Sequence, residues 1–128
     1  MAIDVRQLHI GAHVLVDGRR ERVRGLDEDN GLIVRFPAEY VSADDVEPIA
    51  ITPELLTEMG FEDFTKLPYG EWEKWWDKKK YMCFSSIKDN LWRVRYMDGM
   101  MDLGNCVCRY LHQAEAFLAL HNVELIAD

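Results

Sequence analysis

The sequence predicts an α+β domain that opens with an SH3-like small β-barrel. Three observations carry that expectation. Short apolar runs separated by tight glycine turns fill residues 1–51. Aromatic and β-branched runs at 81–87 and 91–97 have the look of paired strands. An apolar stripe at helical spacing closes the chain over 111–121.

Ala12 to Val16 alternates and ends in Asp17-Gly18, a strong hairpin turn because both positions tolerate positive φ. Arg22 to Leu26 forms the answering strand, with a bulge expected at Gly25. The cluster 27–31 turns the chain into a third strand, Leu32 to Phe36, which Pro37 ends. Glu39 to Val41 is a short fourth strand, and 42–46 is a one-turn helix that Ser42 can cap. So many short strands in so few residues fit a curled barrel better than a sandwich.

Thr52-Pro53-Glu54 opens a helix as physics prefers: an N-cap, a proline at the first position and an acid at the positive end. Gly60 stops it and Phe61 packs back. Leu67 to Gly70 is a turn. Trp72, Trp75 and Trp76 recur at helical spacing, yet a strand or irregular segment is preferred for 71–80. Lys88-Asp89-Asn90 joins the two strand-like runs, Gly99 and Gly104 bracket a loop, and Asn105 to Arg109 is a further strand. In the last helix Leu111, Ala114, Phe117, Leu118 and His121 share a face, with Asn122 as its stop. At 128 residues the chain holds one compact domain, a barrel over 1–51 with an α+β half over 52–128 packed on it.

Charge is the sharpest global signal. The net charge is −8, with 15 basic and 23 acidic residues. Residues 1–64 hold 6 of the basic and 14 of the acidic groups, so 6 − 14 = −8 and the excess lies wholly in the first half. No lysine or arginine occurs from Phe36 to Thr65. Such a field repels nucleic acid and favours a basic protein surface. Asp44, Asp45, Glu47, Glu54, Glu58, Glu62 and Asp63 are therefore the candidate partner-binding residues. The plain alternative is solubility.

A second candidate set is aromatic and basic: Tyr69, Trp72, Trp75, Trp76, Lys78, Lys79 and Tyr81. Rings and ammonium groups in this pattern stack on and neutralise a signalling nucleotide, or anchor a protein interface. Two core tryptophans and a solvated lysine turn are the bland reading. No catalytic, phosphate-binding or dinucleotide motif is present, and no cofactor or metal signature. Cys106 and Cys108 share a strand face as core residues would. His9 and His13 read as turn or surface residues. His112 and His121 are half a turn apart on the last helix and cannot share a metal. The odd cysteine count fits reduced thiols. The start carries Asp4 and Arg6 without the apolar core of a secretory leader. No membrane contact and a cytoplasmic location are expected; a homo-oligomer is left open.

Leu8-x-Ile10-Gly11-x-x-Val14 is followed by Asp45-Val46-Glu47-Pro48-Ile49-x-Ile51-Thr52-x-Glu54-x-Leu56-x-x-Met59-Gly60-Phe61 and by Tyr110-Leu111-His112-Gln113. This arrangement resembles a family of small uncharacterised proteins of Bacteroides-type bacteria, their phages and mobile elements. The chain departs from the family pattern after Gln113, where Ala114-Glu115-Ala116-Phe117 stands. The resemblance implies an accessory protein of a phage or mobile element and no catalytic residue; with the acidic excess of residues 1–64, the expectation is a protein that acts against host defence through a basic partner surface.

Overall fold

The computed structural model describes residues 8–27, 31–35, 39–42, 45–68, 70–123 and 125. Among the described residues the fold is mixed α+β, mostly strand, with two helices. The chain divides into two compact units, the first comprising 1–50 and 110–128 and the second 51–109. The C-terminal helix thus belongs with the N-terminal strands, whereas the sequence placed it with the second half.

In the first unit β1 (His13–Val16) pairs antiparallel with β2 (Arg19–Arg22). The turn between them is the expected one, Asp17 and Gly18 having φ of 51° and 76°. β3 (Gly25–Asp27), β4 (Gly31–Arg35) and β5 (Glu39–Val41) form a second antiparallel sheet in the order β3-β4-β5. β6 (Val46–Glu47) returns to pair with β1, so the first sheet reads β2-β1-β6. The strands expected to close as one barrel are therefore two three-stranded sheets; beyond β2, Val23 still exchanges backbone bonds with Gly11 and Ala12, both at 2.7 Å, before the chain turns into β3. Positions 43 and 44 of the expected one-turn helix lie outside the described residues.

Leu8, Ala12, Val14, Val16, Val23 and Val46 form this unit's apolar cluster, with Val41 packed against it. On α2 (Leu111–Ala119) the buried residues are Leu111, His112, Ala114, Glu115 and Leu118. The helix face is thus rotated from the expected one: Phe117 and His121 are half-buried, and two polar residues are taken inside. Gln113 Oε1 accepts from the Tyr110 N–H at 3.1 Å and caps the start. Asn122 stops the helix with φ 59°.

The second unit opens with α1 (Pro53–Glu58). Thr52 Oγ1 accepts from the Leu55 N–H at 3.1 Å. At the other end Gly60 has φ 92°, the Gly60 N–H donates to Thr57 and the Phe61 N–H to Leu56. That pair of bonds is a Schellman motif, and Leu56 and Phe61 at its two ends are both buried. A five-stranded antiparallel sheet follows, ordered β11-β10-β9-β8-β7. Its strands are β7 (Glu62–Asp63), β8 (Trp72–Trp75), β9 (Lys80–Lys88), β10 (Leu91–Asp98) and β11 (Met101–Cys108).

Residues 72–75 are thus strand, despite the helical recurrence of the tryptophans, because pairing with β9 satisfies the backbone there. The loop expected between Gly99 and Gly104 is instead a tight turn at 99–100, and Gly104 lies within β11. The ladder absorbs the misfit as a bulge: Tyr96 faces Gly104 and Met97 faces Asp102, leaving Leu103 over. One sheet face carries Met82, Phe84, Trp92, Val94 and Tyr96, all buried. Phe84 meets Phe61 edge-on at 5.1 Å, and Trp92 donates its indole N–H to the Ile51 carbonyl at 3.0 Å. Each such burial contributes about 2 kcal/mol. No helix among the described residues is long and apolar enough to cross a membrane.

Candidate functional site

Side chains alternate across a sheet, so the core face of the second unit fixes what its other face presents. Opposite Phe84 and Met82 along β9 lie Tyr81, Cys83 and Ser85. Their partners on β8 are Trp75 for Tyr81 and Glu73 for Cys83. Glu62 on β7 stands directly across from Glu73. Glu62, Glu73, Trp75 and Tyr81 thus share one face of one sheet. This face joins members of the acidic set to members of the aromatic set.

The geometry is ordered. Trp75 stacks on Tyr81 with ring centroids 4.0 Å apart and planes 14° from parallel. Its indole N–H donates to Glu73 Oε1 at 2.9 Å, which fixes the ring's direction. Half of Trp75 remains open to solvent. Next to them Glu71 accepts from Ser85 Oγ at 2.5 Å and pairs with Arg95. Neither Glu62 nor Glu73 forms an ion pair with a described residue. Burial, with Glu71 and Glu73 nearby, pushes the Cys83 thiol up to about 12. Burial also raises the Tyr81 hydroxyl above its ordinary value.

The rest of the aromatic set goes elsewhere. Trp72 pairs with Phe84 and lies half-buried on the core side. Trp76 meets Tyr96 edge-on at 6.1 Å, with Lys74 Nζ 5.7 Å from its ring. Lys74 also donates to the Met59 carbonyl at 2.7 Å, and burial lowers its pKa. Lys78 and Lys79 are exposed in the bend after β8. There Asp77 Oδ1 accepts from the Lys79 and Lys80 N–H groups at 2.7 and 2.8 Å. Tyr69 lies outside the described residues. Period-two alternation, not the helical spacing, sorts the three tryptophans, so they do not form a single clamp.

The acidic set is divided as well. Glu54 and Glu58 are exposed on α1, one turn apart, and Glu62 and Asp63 are exposed on β7. Asp63 accepts from the N–H and Oγ1 of Thr65, which holds its carboxyl below the ordinary range. Asp45 and Glu47 belong to the first unit, where with Asp17 they line a recess of about 250 Å³. Asp44 lies outside the described residues. Glu73 was missed by sequence reasoning; its i, i+2 spacing to Trp75 within a strand was the available signal.

The histidines differ most from expectation. His13 is buried, not at the surface, and Glu115 accepts from its N–H at 2.8 Å and meets its Nδ1 at 2.6 Å. His112 is 1% exposed, and neither of its ring nitrogens has a hydrogen-bond partner among the described residues. Burial lowers the pKa of both His112 and His9. A pocket of about 290 Å³ opens here, lined by His9, Gly11, Arg22, Glu115 and Asn122 among others. Among the described residues no three His, Cys, Asp or Glu side chains are gathered as a metal ion requires.

Comparison with known proteins adds no assignment: no family model, no curated protein and no solved structure matches the chain.

Proposed function

We propose that the chain is a non-catalytic, cytoplasmic binding protein of phage or mobile-element type, which counters host defence by engaging a basic protein surface such as a nuclease's nucleic-acid channel. One observation carries this reading. The exposed carboxylates of Glu54, Glu58, Glu62 and Asp63 occupy α1 and β7 of a single unit, and Glu62 faces Glu73 across the ladder with no ion pair from a described residue to either. Like charges directly opposite one another destabilise a sheet, and a cationic partner reverses that sign. Unpaired thiols at Cys83, Cys106 and Cys108 fit the reducing setting.

The reading of the first unit as an SH3-like barrel is supported by the two-residue link at Val23 and Arg24, through which one run of chain passes from β2 in one sheet to β3 in the other. Such barrels serve many unrelated partners, so the acidic surfaces bear the functional argument. The test is titration of the chain against a panel of purified DNA-cleaving defence nucleases, with duplex DNA as competitor. Binding should be displaced by DNA and weaken at least about tenfold between roughly 0.05 and 0.5 M salt. Salt-insensitive binding, or none, overturns the proposal.

Sequestration of a signalling nucleotide is the second reading, favoured by the half-open Trp75 ring and the neighbouring Lys78 and Lys79. A nucleotide at a hundred times its Kd should stabilise the fold by about 2.7 kcal/mol, which a thermal-shift screen detects.

A further inference from the structure

We infer that the open face of the five-stranded sheet recognises an arginine side chain of its partner, the guanidinium lying on Trp75 between the carboxylates of Glu62 and Glu73. The inference rests on the proposed engagement of a basic protein surface and names the chemistry of the contact.

The receiving ring is built in advance. Tyr81 backs one face of Trp75 at 4.0 Å, and Glu73 holds its indole N–H at 2.9 Å, so a ring half open to solvent already has a fixed plane. A planar cation that stacks on this ring loses little to ordering the site. Indole is also the best aromatic face for a cation.

Among the described residues no cation forms an ion pair with Glu62 or Glu73. Arg95 is committed to Glu71 on the same face. Lys74 alternates to the core side, where it reaches the Met59 carbonyl and Trp76. Glu62 and Glu73 therefore face each other with their charge uncompensated by any described residue.

Arginine fits this arrangement better than lysine. Guanidinium is planar, stacks on aromatic rings and presents a fork of donors to carboxylates, whereas ammonium is a compact, strongly hydrated point charge. A nucleotide could use the same ring, but its phosphates would meet the two carboxylates and be repelled.

The test uses the intact chain and two synthetic peptides of equal length and charge, one supplying arginine and the other lysine. Binding is read by Trp fluorescence and calorimetry at low salt. The arginine peptide should bind about tenfold more tightly. Trp75→Leu should abolish that preference, and Glu62→Lys, at an exposed position without folding risk, should weaken both peptides. Circular dichroism verifies that each variant is folded. Equal affinity for the two peptides, both still weakened by Glu62→Lys, overturns the arginine assignment and leaves the basic-partner reading standing. Binding of neither peptide overturns the arginine assignment and counts against that reading too. Quenching of Trp75 by a nucleotide in place of either peptide overturns it in favour of nucleotide sequestration.

Discussion

Glu115 on α2 accepts twice from His13 on β1, from the backbone N–H at 2.8 Å and at the ring Nδ1 at 2.6 Å. Both residues are buried, so this contact ties the last helix to the first strand where water competes little. Glu115→Ala should remove both of these acceptors from a buried N–H and a buried ring nitrogen. A loss of about 3 kcal/mol in urea-induced unfolding is expected.

Acid should weaken the fold through His112. Burial lowers its folded-state pKa below the ordinary 6.5; Glu115 opposes that effect and His9 adds to it. The neutral ring is the form the core accepts. Stability attributable to this group is therefore full above pH 6.5, declines below it as the unfolded chain takes up the proton first, and goes on falling through the folded-state pKa. His9 is shifted in the same direction. Unfolding free energy measured from neutral pH downward should fall, and the slope should be shallower in His112→Phe.

The three thiols should differ in reactivity. Cys106 is half-buried and a hydrogen bond from the Cys108 thiol lowers its pKa, while the same contact and burial raise that of Cys108. Cys83 is buried and pushed up to about 12. The thiolate is the nucleophile. Alkylation of the native protein near pH 8, mapped by mass spectrometry, should therefore label Cys106 first.

Gly60 holds φ 92° at the end of α1, where an added Cβ would meet only the end of Lys74 at 3.7 Å. Space is not the obstacle; the backbone conformation is. Gly60→Ala should cost about 1 kcal/mol in thermal or urea unfolding while leaving the fold intact.

Local chemistry made much of this architecture readable from the chain. Asp17-Gly18 marked its own turn, because few residue pairs accept positive φ twice. Thr52, Pro53 and Gly60 framed α1 for similar reasons of capping and backbone freedom. Strand or irregular structure was the reading for 71–80 against the helical recurrence of its tryptophans, and cross-strand pairing makes 72–75 a strand. The tight turn at 99–100 was not readable. Gly104 resembles a loop signal in sequence, and only the ladder between β10 and β11 shows that a bulge at Leu103 accommodates it.

The candidate site was half legible. Glu62, Trp75 and Tyr81 were each singled out, but in two separate sets, and Glu73 belonged to neither. Charge and aromatic content are properties of single residues and can be counted along the chain. Adjacency across β7, β8 and β9 comes from hydrogen-bond register, which joins residues distant in sequence and reverses every side chain if it slips by one.

The sequence by itself determined the Asp17-Gly18 turn, the ends of α1, the mixed α+β character and the acidic first half, because these depend on neighbouring residues and on sums. Tertiary structure alone decided that His13, His112 and Glu115 are buried together and that two carboxylates face each other beside a fixed indole. Burial and cross-strand pairing depend on which distant segments meet. A histidine's neighbours in sequence do not reveal whether its ring will face water or a carboxylate on the last helix.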